Sequence, residues 1–510
     1  MKKIFFSTSI AVSIMINSAS AQYEGYAALF GRQMFSGGTA RYLSIGGAGT
    51  SLGADLGAAA VNPAGLGMYR KSEFSFSPNF GFSGSSTSYL DQSERDNKGS
   101  FSLSNIGLAI CGAKDDLDQS EWRGGTFSLT MNRVNNFNSR ISFSGTDPHS
   151  SMADYFVQLA NKGPNTSEND LIAEDPSNSS GTGIVDLPGL AYWTYLITPT
   201  SSTTYTDYLS NETFAKQGTY TTTGAQYQWN FAYGANYKDK LYIGGGLGIT
   251  SINFREALTY TETTDNSANA FSTFTFDDYN KIKGTGVNVK LGYIYKASDV
   301  VKIGTTITTP TYYWMNQNYS SDLSAIYPSS NLAGAPSGTT VYQSTVPGYY
   351  KFNYTSPLKV AAGMSLFAGK AGFISGDLEL VPYQLSNFSS KDNDINAFFQ
   401  PYNRVINNSY KTILNLRIGG ELRMDILRLR AGLAYLPNPY QYSDGVNRNV
   451  EQISAGAGVK LDNVYFDLGV VNTRYQSSYQ PYTLDNYDAP TAVSKNSFVN
   501  AVITMGFYFE

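Results

Sequence analysis

TILNLRIGGELRM, residues 412–424, places Leu414, Leu416, Ile418 and Leu422 on one side of an extended chain and Asn415, Arg417, Glu421 and Arg423 on the other. A period of two held this strictly is the side-chain geometry of a β-strand and excludes a helix. The next segment repeats it, with Leu427, Leu429, Ala431 and Leu433 opposite Arg428 and Arg430. The end of the chain does the same, with Val499, Ala501, Ile503, Met505, Phe507 and Phe509 on one face.

Fourteen such segments can be counted, starting near Glu73, Phe101, Gly125, Gln226, Leu241, Gly284, Val301, Tyr350, Ala371, Lys411, Leu427, Val450, Asn463 and Ser494. Tight polar turns at 238–240, 297–300, 368–371, 424–426 and 461–463 alternate with long insertions, the largest from about 136 to 225. Aromatic residues gather at strand ends, as in Tyr312-Tyr313-Trp314 and Phe507-Tyr508-Phe509. Alternating strands, short turns at one end, long loops at the other and an aromatic girdle predict an all-β, 14-stranded antiparallel transmembrane barrel. A soluble propeller or sandwich would not collect aromatics in this way.

The bulk properties agree. The chain has 39 Tyr, 29 Phe and 49 Gly but only 15% charged residues, where a soluble protein carries about 25%. Lys2 and Lys3, the apolar run from Ile4 to Ile16 and Ala19-Ser20-Ala21 have the pattern of a cleaved signal peptide over residues 1–21. The rest of the chain then has 34 basic residues (36 less Lys2 and Lys3) against 40 acidic, a net charge of −6. No basic run points to nucleic acid. The single Cys111 permits no disulfide. The expected location is the outer membrane of a Gram-negative cell, with the lipid bilayer and the barrel-assembly machinery as partners.

Residues 22–72 precede the first strand and do not alternate. They are Gly-rich and polar, and ADLGAAAVNPAGLG (54–67) is a knot of small residues around an Asn-Pro turn. A barrel of fourteen strands is too wide for its own side chains to fill, so this segment is expected to fold into the lumen as a plug. SIGGAGTSLGADLGAAAVNPAGL, residues 44–66, resembles the N-terminal hatch of the FadL/TodX family of outer-membrane transporters for hydrophobic compounds. The matching positions are Gly46-Gly47-Ala48, Ala54-Asp55 and Asn62-Pro63-Ala64-Gly65-Leu66. The resemblance implies a fourteen-stranded barrel with a lumen hatch. It also implies capture of hydrophobic or amphiphilic cargo, of long-chain fatty acid type, among the loops, binding in the lumen, and hatch-gated release through a kinked strand.

Several residues fit such a route. Met152, Tyr155, Phe156 and Leu159 fall at helical spacing, and with Trp193 (in AYWTYLI, 191–197), Ile395, Phe398 and Phe399 they are candidates for an apolar capture groove in the loops. Pro78, inside the first strand, is the candidate kink because proline cannot donate to the ladder. Asp377, Glu379, Arg417, Glu421, Arg423, Arg428 and Arg430 are candidate lumen charges, chiefly an ion-pair ladder, with a minority role in attracting an anionic head group. Enzyme activity is not expected: His149, the sole histidine, sits in DPHSS without a G-x-S-x-G elbow. No cofactor or metal site is expected, DNDIN (392–396) being only part of a calcium loop. A general porin, or a surface-binding barrel of adhesin or haem-receptor type, is the alternative function. Neither makes use of a hatch.

Overall fold

The computed structural model describes residues 25–33, 37–115, 117–164, 166–178, 182–207, 213–264, 271–327, 338–485 and 487–510; the expected signal peptide lies outside them. Fourteen antiparallel strands form one closed meander. They are β1 (Ser72–Tyr89), β2 (Gln92–Ala113), β3 (Trp122–Asn136, continued by Ser139–Asp147), β4 (Phe214–Tyr237), β5 (Leu241–Thr263) and β6 (Thr273–Lys296). Next come β7 (Val301–Thr308 and Tyr312–Tyr327), β8 (Thr339–Ser344, Gly348–Thr355 and Lys359–Phe367) and β9 (Gly372–Pro382, with Asn387–Ser389). The series ends with β10 (Thr412–Met424), β11 (Leu427–Leu436), β12 (Val450–Lys460), β13 (Val464–Tyr479) and β14 (Ala492–Phe509). Pairing of β1 with β14, from Ser72 opposite Phe509 to Ser88 opposite Val493, closes the sheet.

The alternation read in the sequence becomes an outer apolar surface. Leu414, Leu416, Ile418 and Leu422 point outward, each between 42% and 52% exposed. Their neighbours Asn415 and Glu421 are buried inside. Among the described residues no helix is long and apolar enough to cross a membrane; a barrel of this kind crosses with strands.

Strands differ from the sequence reading at the loop end. Residues 136–225 are not one long insertion: β3 runs on to Asp147 and β4 starts at Phe214, with Ser139–Asp147 laid against Phe214–Thr222. β1 and β2 meet in a two-residue hairpin at Leu90-Asp91, both at positive φ. The outward faces of these extensions carry chiefly polar residues, so the outer apolar row does not continue along them. β7 and β8 break side by side, at Thr309-Pro310-Thr311 and Ser356-Pro357-Leu358, because proline cannot supply the ladder's N–H.

The loops fold over the end of the barrel. Helices α4 (Met152–Lys162), α5 (Glu168–Ala173) and α6 (Leu187–Trp193) pack onto strand tops through Tyr260, Phe276, Leu323 and Tyr327. Lys216, fully buried, ties this cap down with ion-pair and hydrogen bonds to Asp147 Oδ2 (2.6 Å) and Tyr482 Oη (2.5 Å). Within the cap, Glu174 and Asp186 are both buried. Burial, and then the charge of Asp186, pushes the Glu174 carboxyl up to about 8, and burial pushes Asp186 up to about 6.

A carboxyl raised in the folded state favours the fold while protonated, so its stabilisation is complete below the unfolded value of 4.5 and lost as pH rises through 8. The cap should loosen over that interval. Trp193, whose Nε1 donates to the Leu171 carbonyl at 2.9 Å, is the reporter. Its emission should shift to the red between pH 4.5 and 8 in the wild type and stay constant in Glu174→Gln/Asp186→Asn. Identical titrations of the two proteins would contradict this account.

Candidate functional site: a filled and layered lumen

The segment before β1 comprises helix α1 (residues 25–31), α2 (Ala40–Ser44), α3 (Ala58–Val61) and a 3-10 turn over Pro63–Met68. It touches strands on opposite sides of the barrel: Ala235 of β4, Thr305 of β7, Asp377 of β9, Ser454 of β12 and Thr504 of β14. A short segment can reach all of these only from inside.

Asn62 explains how the segment is seated. Its Oδ1 accepts from the Ala64 N–H (3.1 Å) and caps the 3-10 turn. Its Nδ2 donates to the carbonyls of Thr50 (2.7 Å), Tyr293 (3.2 Å) and Thr305 (3.2 Å), joining the segment to β6 and β7. The wall is cut to receive it. Gly234, Gly244 and Gly292 lie in register across β4, β5 and β6. A Cβ on Gly244 would stand 2.4 Å from Pro63, and one on Gly292 would stand 1.9 Å from Asn62 Oδ1. Gly46 and Gly47, both at positive φ, turn the chain after α2, with Gly46 pressed on the backbone of Leu433.

Five of the seven predicted charges fall into two ion-paired groups. Glu421 is held by three guanidinium groups: Arg41 (3.2 Å), Arg423 (2.7 Å) and Arg430 (2.7 Å). Arg430 passes on to Asp467, and Arg41 also reaches Asp55. Arg41 and Asp467 escaped the sequence reading. The second group pairs Arg417 with Glu379 at 3.1 Å. Asp377 accepts instead from the N–H and hydroxyl of Thr50, both at 2.8 Å. Arg428 joins neither group; it donates to the carbonyls of Asp425 and Leu427.

Two further lumen cations were missed. Lys290 and Lys359 stand on either side of Thr308, each opposite it in register. Neither has a carboxylate within ion-pair distance among the described residues, and Glu379, whose field reaches both, is already bonded to Arg417 and Asn415. Toward the loops lies an aromatic chamber. Tyr313, Tyr354, Phe254, Phe352 and Phe388 line it and α7 (Asn393–Ser409) covers it, with Tyr26 and Phe30 of α1 inside.

The lumen is therefore layered. Along β6 the order from the turn end is Gly292 at the plug, Lys290, then Ile282 in the chamber. Hollows bordering it are small, about 60 Å³ beside Phe137 and 40 Å³ beside Arg133. Larger ones, of about 570 and 640 Å³, lie against outward residues such as Leu416, Ile418 and Leu422.

The expected capture groove is not an open surface. Met152, Tyr155, Phe156 and Leu159 are buried in the cap, and Trp193 packs against it. Phe399 is fully buried in the chamber, with Phe398 packed on it. These apolar faces are used up by loop helices and strand tops packing on one another. Nor does His149 meet a serine: Ser150 donates to Asp147 (2.7 Å) and Ser151 to Glu262 (2.5 Å). Pro78 sits at a bulge, where Ser77 pairs with Asn105 but Pro78 pairs with Leu103. On its other side the pairing skips from Phe76 opposite Met505 to Asn79 opposite Val502.

This fold is that of known outer-membrane channels. The structure is similar to a Pseudomonas aeruginosa FadL homologue, with a TM-score of 0.55 and 11% identity over 93% of this chain and 99% of the other. It is also similar to the Pseudomonas putida toluene transporter TodX, with a TM-score of 0.52, 11% identity and the same coverage. No protein-family model matches the sequence, and no curated protein does.

The seating predicts a paired test. Gly244→Val would place a side chain against Pro63, whereas Gly245→Val meets nothing closer than 3.6 Å. Ion conductance of purified protein in planar bilayers should rise for Gly244→Val and match the wild type for Gly245→Val. Equal conductance in both variants would rule out this seating as the seal.

Proposed function

We propose that the protein is an outer-membrane transporter for hydrophobic and amphiphilic molecules, and that its cargo carries an anionic head group, as a long-chain fatty acid does. The observation that carries this reading is the pair of lumen lysines, Lys290 and Lys359, placed between the plug and the aromatic chamber with no carboxylate in ion-pair distance among the described residues. Both lysines are half-buried in the lumen, and two cations beside each other there favour the arrival of a counter-charge. A carboxylate between the two lysines would leave its apolar tail in the chamber above. The likeness to a FadL homologue and to the toluene transporter TodX supports transport as the general activity. The filled lumen argues against a general porin.

In this reading cargo enters under the loop cap, and the segment before β1 acts as a hatch. Its shift opens the turn end of the lumen, and the bulge at Pro78 weakens the wall beside it. Residues 1–21 serve as the export signal.

Uptake of labelled oleate by cells lacking their own uptake porin tests the reading. The wild type should import, and Lys290→Ala/Lys359→Ala at equal surface level should import about tenfold less. Loss of import should appear as weaker half-saturation, since the lysines act on binding. Wild-type cells that import no oleate would refute it. Pro78→Ala should slow import while leaving barrel assembly, read by heat-modifiable gel mobility, unchanged; undiminished import would remove Pro78 from the route.

A further inference from the structure

On one side of the barrel the outward face changes from apolar to cationic within a few residues. Along β5 the outward residues Ile243, Leu247 and Ile249 give way to Ser251, Asn253 and Arg255. Along β6 Val289 and Val287 give way to Thr285, Lys283 and Lys281. On β7 the exposed rings of Tyr312 and Trp314 are followed by Asn316 and Asn318, and Lys351 of β8 faces the same way. Aromatic rings collect where the apolar interior of a bilayer meets its headgroups. The cations therefore stand at headgroup height on the loop side of the girdle, and the loop end of such barrels faces out of the cell.

Strand register gathers these cations into one patch. Arg255 stands directly opposite Lys281. Lys283, the next residue on the same face, stands opposite Asn316 of β7, which in turn stands opposite Lys351 of β8. Directly opposed side chains start about 5 Å apart and those two strands apart about 10 Å. Four long, flexible side chains can thus converge on one ligand. Among the described residues none of the four has a carboxylate within ion-pair distance. Two outward acids, Asp277 and Asp322, lie nearer the loops, and each already accepts from a hydroxyl, that of Thr259 and that of Ser344, both at 2.5 Å.

Like charges directly opposite across a sheet destabilise it. An uncharged side chain, such as the neighbouring Asn253 or Asn316, would wet this surface at no such cost. An anion seated among the cations turns the repulsion into attraction. We propose that the patch binds a phosphorylated glycolipid of the outer leaflet. Its phosphates lie among Arg255, Lys281, Lys283 and Lys351, since lysine serves phosphate as a point charge. Its sugars meet the amides of Asn253, Asn316 and Asn318 and the exposed rings of Tyr279 and Tyr349, the latter directly opposite Asn318. Its acyl chains run down the wall past Trp314 and Val289. The patch lies outside the lumen, so the proposal holds whatever cargo the lumen takes.

The test titrates the full chain in dodecyl maltoside micelles with bisphosphorylated lipid A and counts bound lipid by native mass spectrometry. Arg255→Gln/Lys281→Gln/Lys283→Gln/Lys351→Gln should bind about thirtyfold more weakly than the wild type. Dephosphorylated lipid A, with the same sugars and chains, should bind both proteins equally weakly. A variant that loses four cations at the short turns, Lys114→Gln/Lys238→Gln/Lys240→Gln/Lys296→Gln, should bind lipid A as the wild type does. Equal affinity in the wild type and the patch variant overturns the proposal. So does an equal loss in the turn variant, or wild-type binding that ignores the phosphates. Heat-modifiable gel mobility checks that the patch variant folds. Should it not fold, Lys281→Gln alone, which breaks the opposed pair, carries the same comparison with about a threefold loss expected.

Discussion

A backbone N–H or C=O inside a bilayer has no water to turn to, so a sheet that crosses must pair every strand on both sides. That requirement is met here by the seam between β1 and β14, and the remaining architecture follows from it. Closing fourteen strands creates a lumen too wide for side chains to fill. The space must then be occupied by more chain. The segment ahead of β1 supplies it, with glycine in the wall at Gly234 and Gly244 where backbone meets backbone.

Polar chemistry in the lumen is arranged by height. Near the turn end, Glu421 is surrounded by Arg41, Arg423 and Arg430, an arrangement that ties the inner segment to β10 and β11. Buried ion pairs add little net stability, since desolvation offsets attraction. Their effect is to fix one position of the segment against the wall. Higher up, Lys290 and Lys359 face the lumen with no carboxylate in ion-pair distance among the described residues. The contrast between a saturated ladder and an unsaturated pair a short distance above it separates cations fixed in ion pairs from cations that are not.

Much of the barrel was legible because one face of each strand must be apolar, and Leu414 to Leu422 show the pattern plainly. Beyond the bilayer that demand ends. The continuation Ser139–Asp147 turns Arg140, Ser142, Ser144 and Thr146 outward, with only Ile141 and Phe143 as apolar residues on the inner face, too short an alternation to stand out. The glycine seat could not be read, because Gly234, Gly244 and Gly292 become neighbours only once register is known. Lys290 was readable in principle: it alternates inward between Val289 and Leu291. α1 was passed over as part of a Gly-rich stretch, although Tyr26 and Phe30 stand four residues apart on one helical face. The loop residues Met152, Phe156 and Phe399 were correctly seen as apolar, but their packing partners on distant strands were invisible.

The seat of the inner segment also sets an order of events in assembly. Its residues precede every strand in the chain, yet their contacts reach Asp377, Ser454 and Thr504, on β9, β12 and β14. Contacts of such long sequence separation form late. The segment must therefore wait, unseated, until the final strands arrive, and it must lie inside the cylinder before β14 zips onto β1. A lesion in β12 or β14 can in this way leave the pore unstoppered without altering a single residue of the stopper.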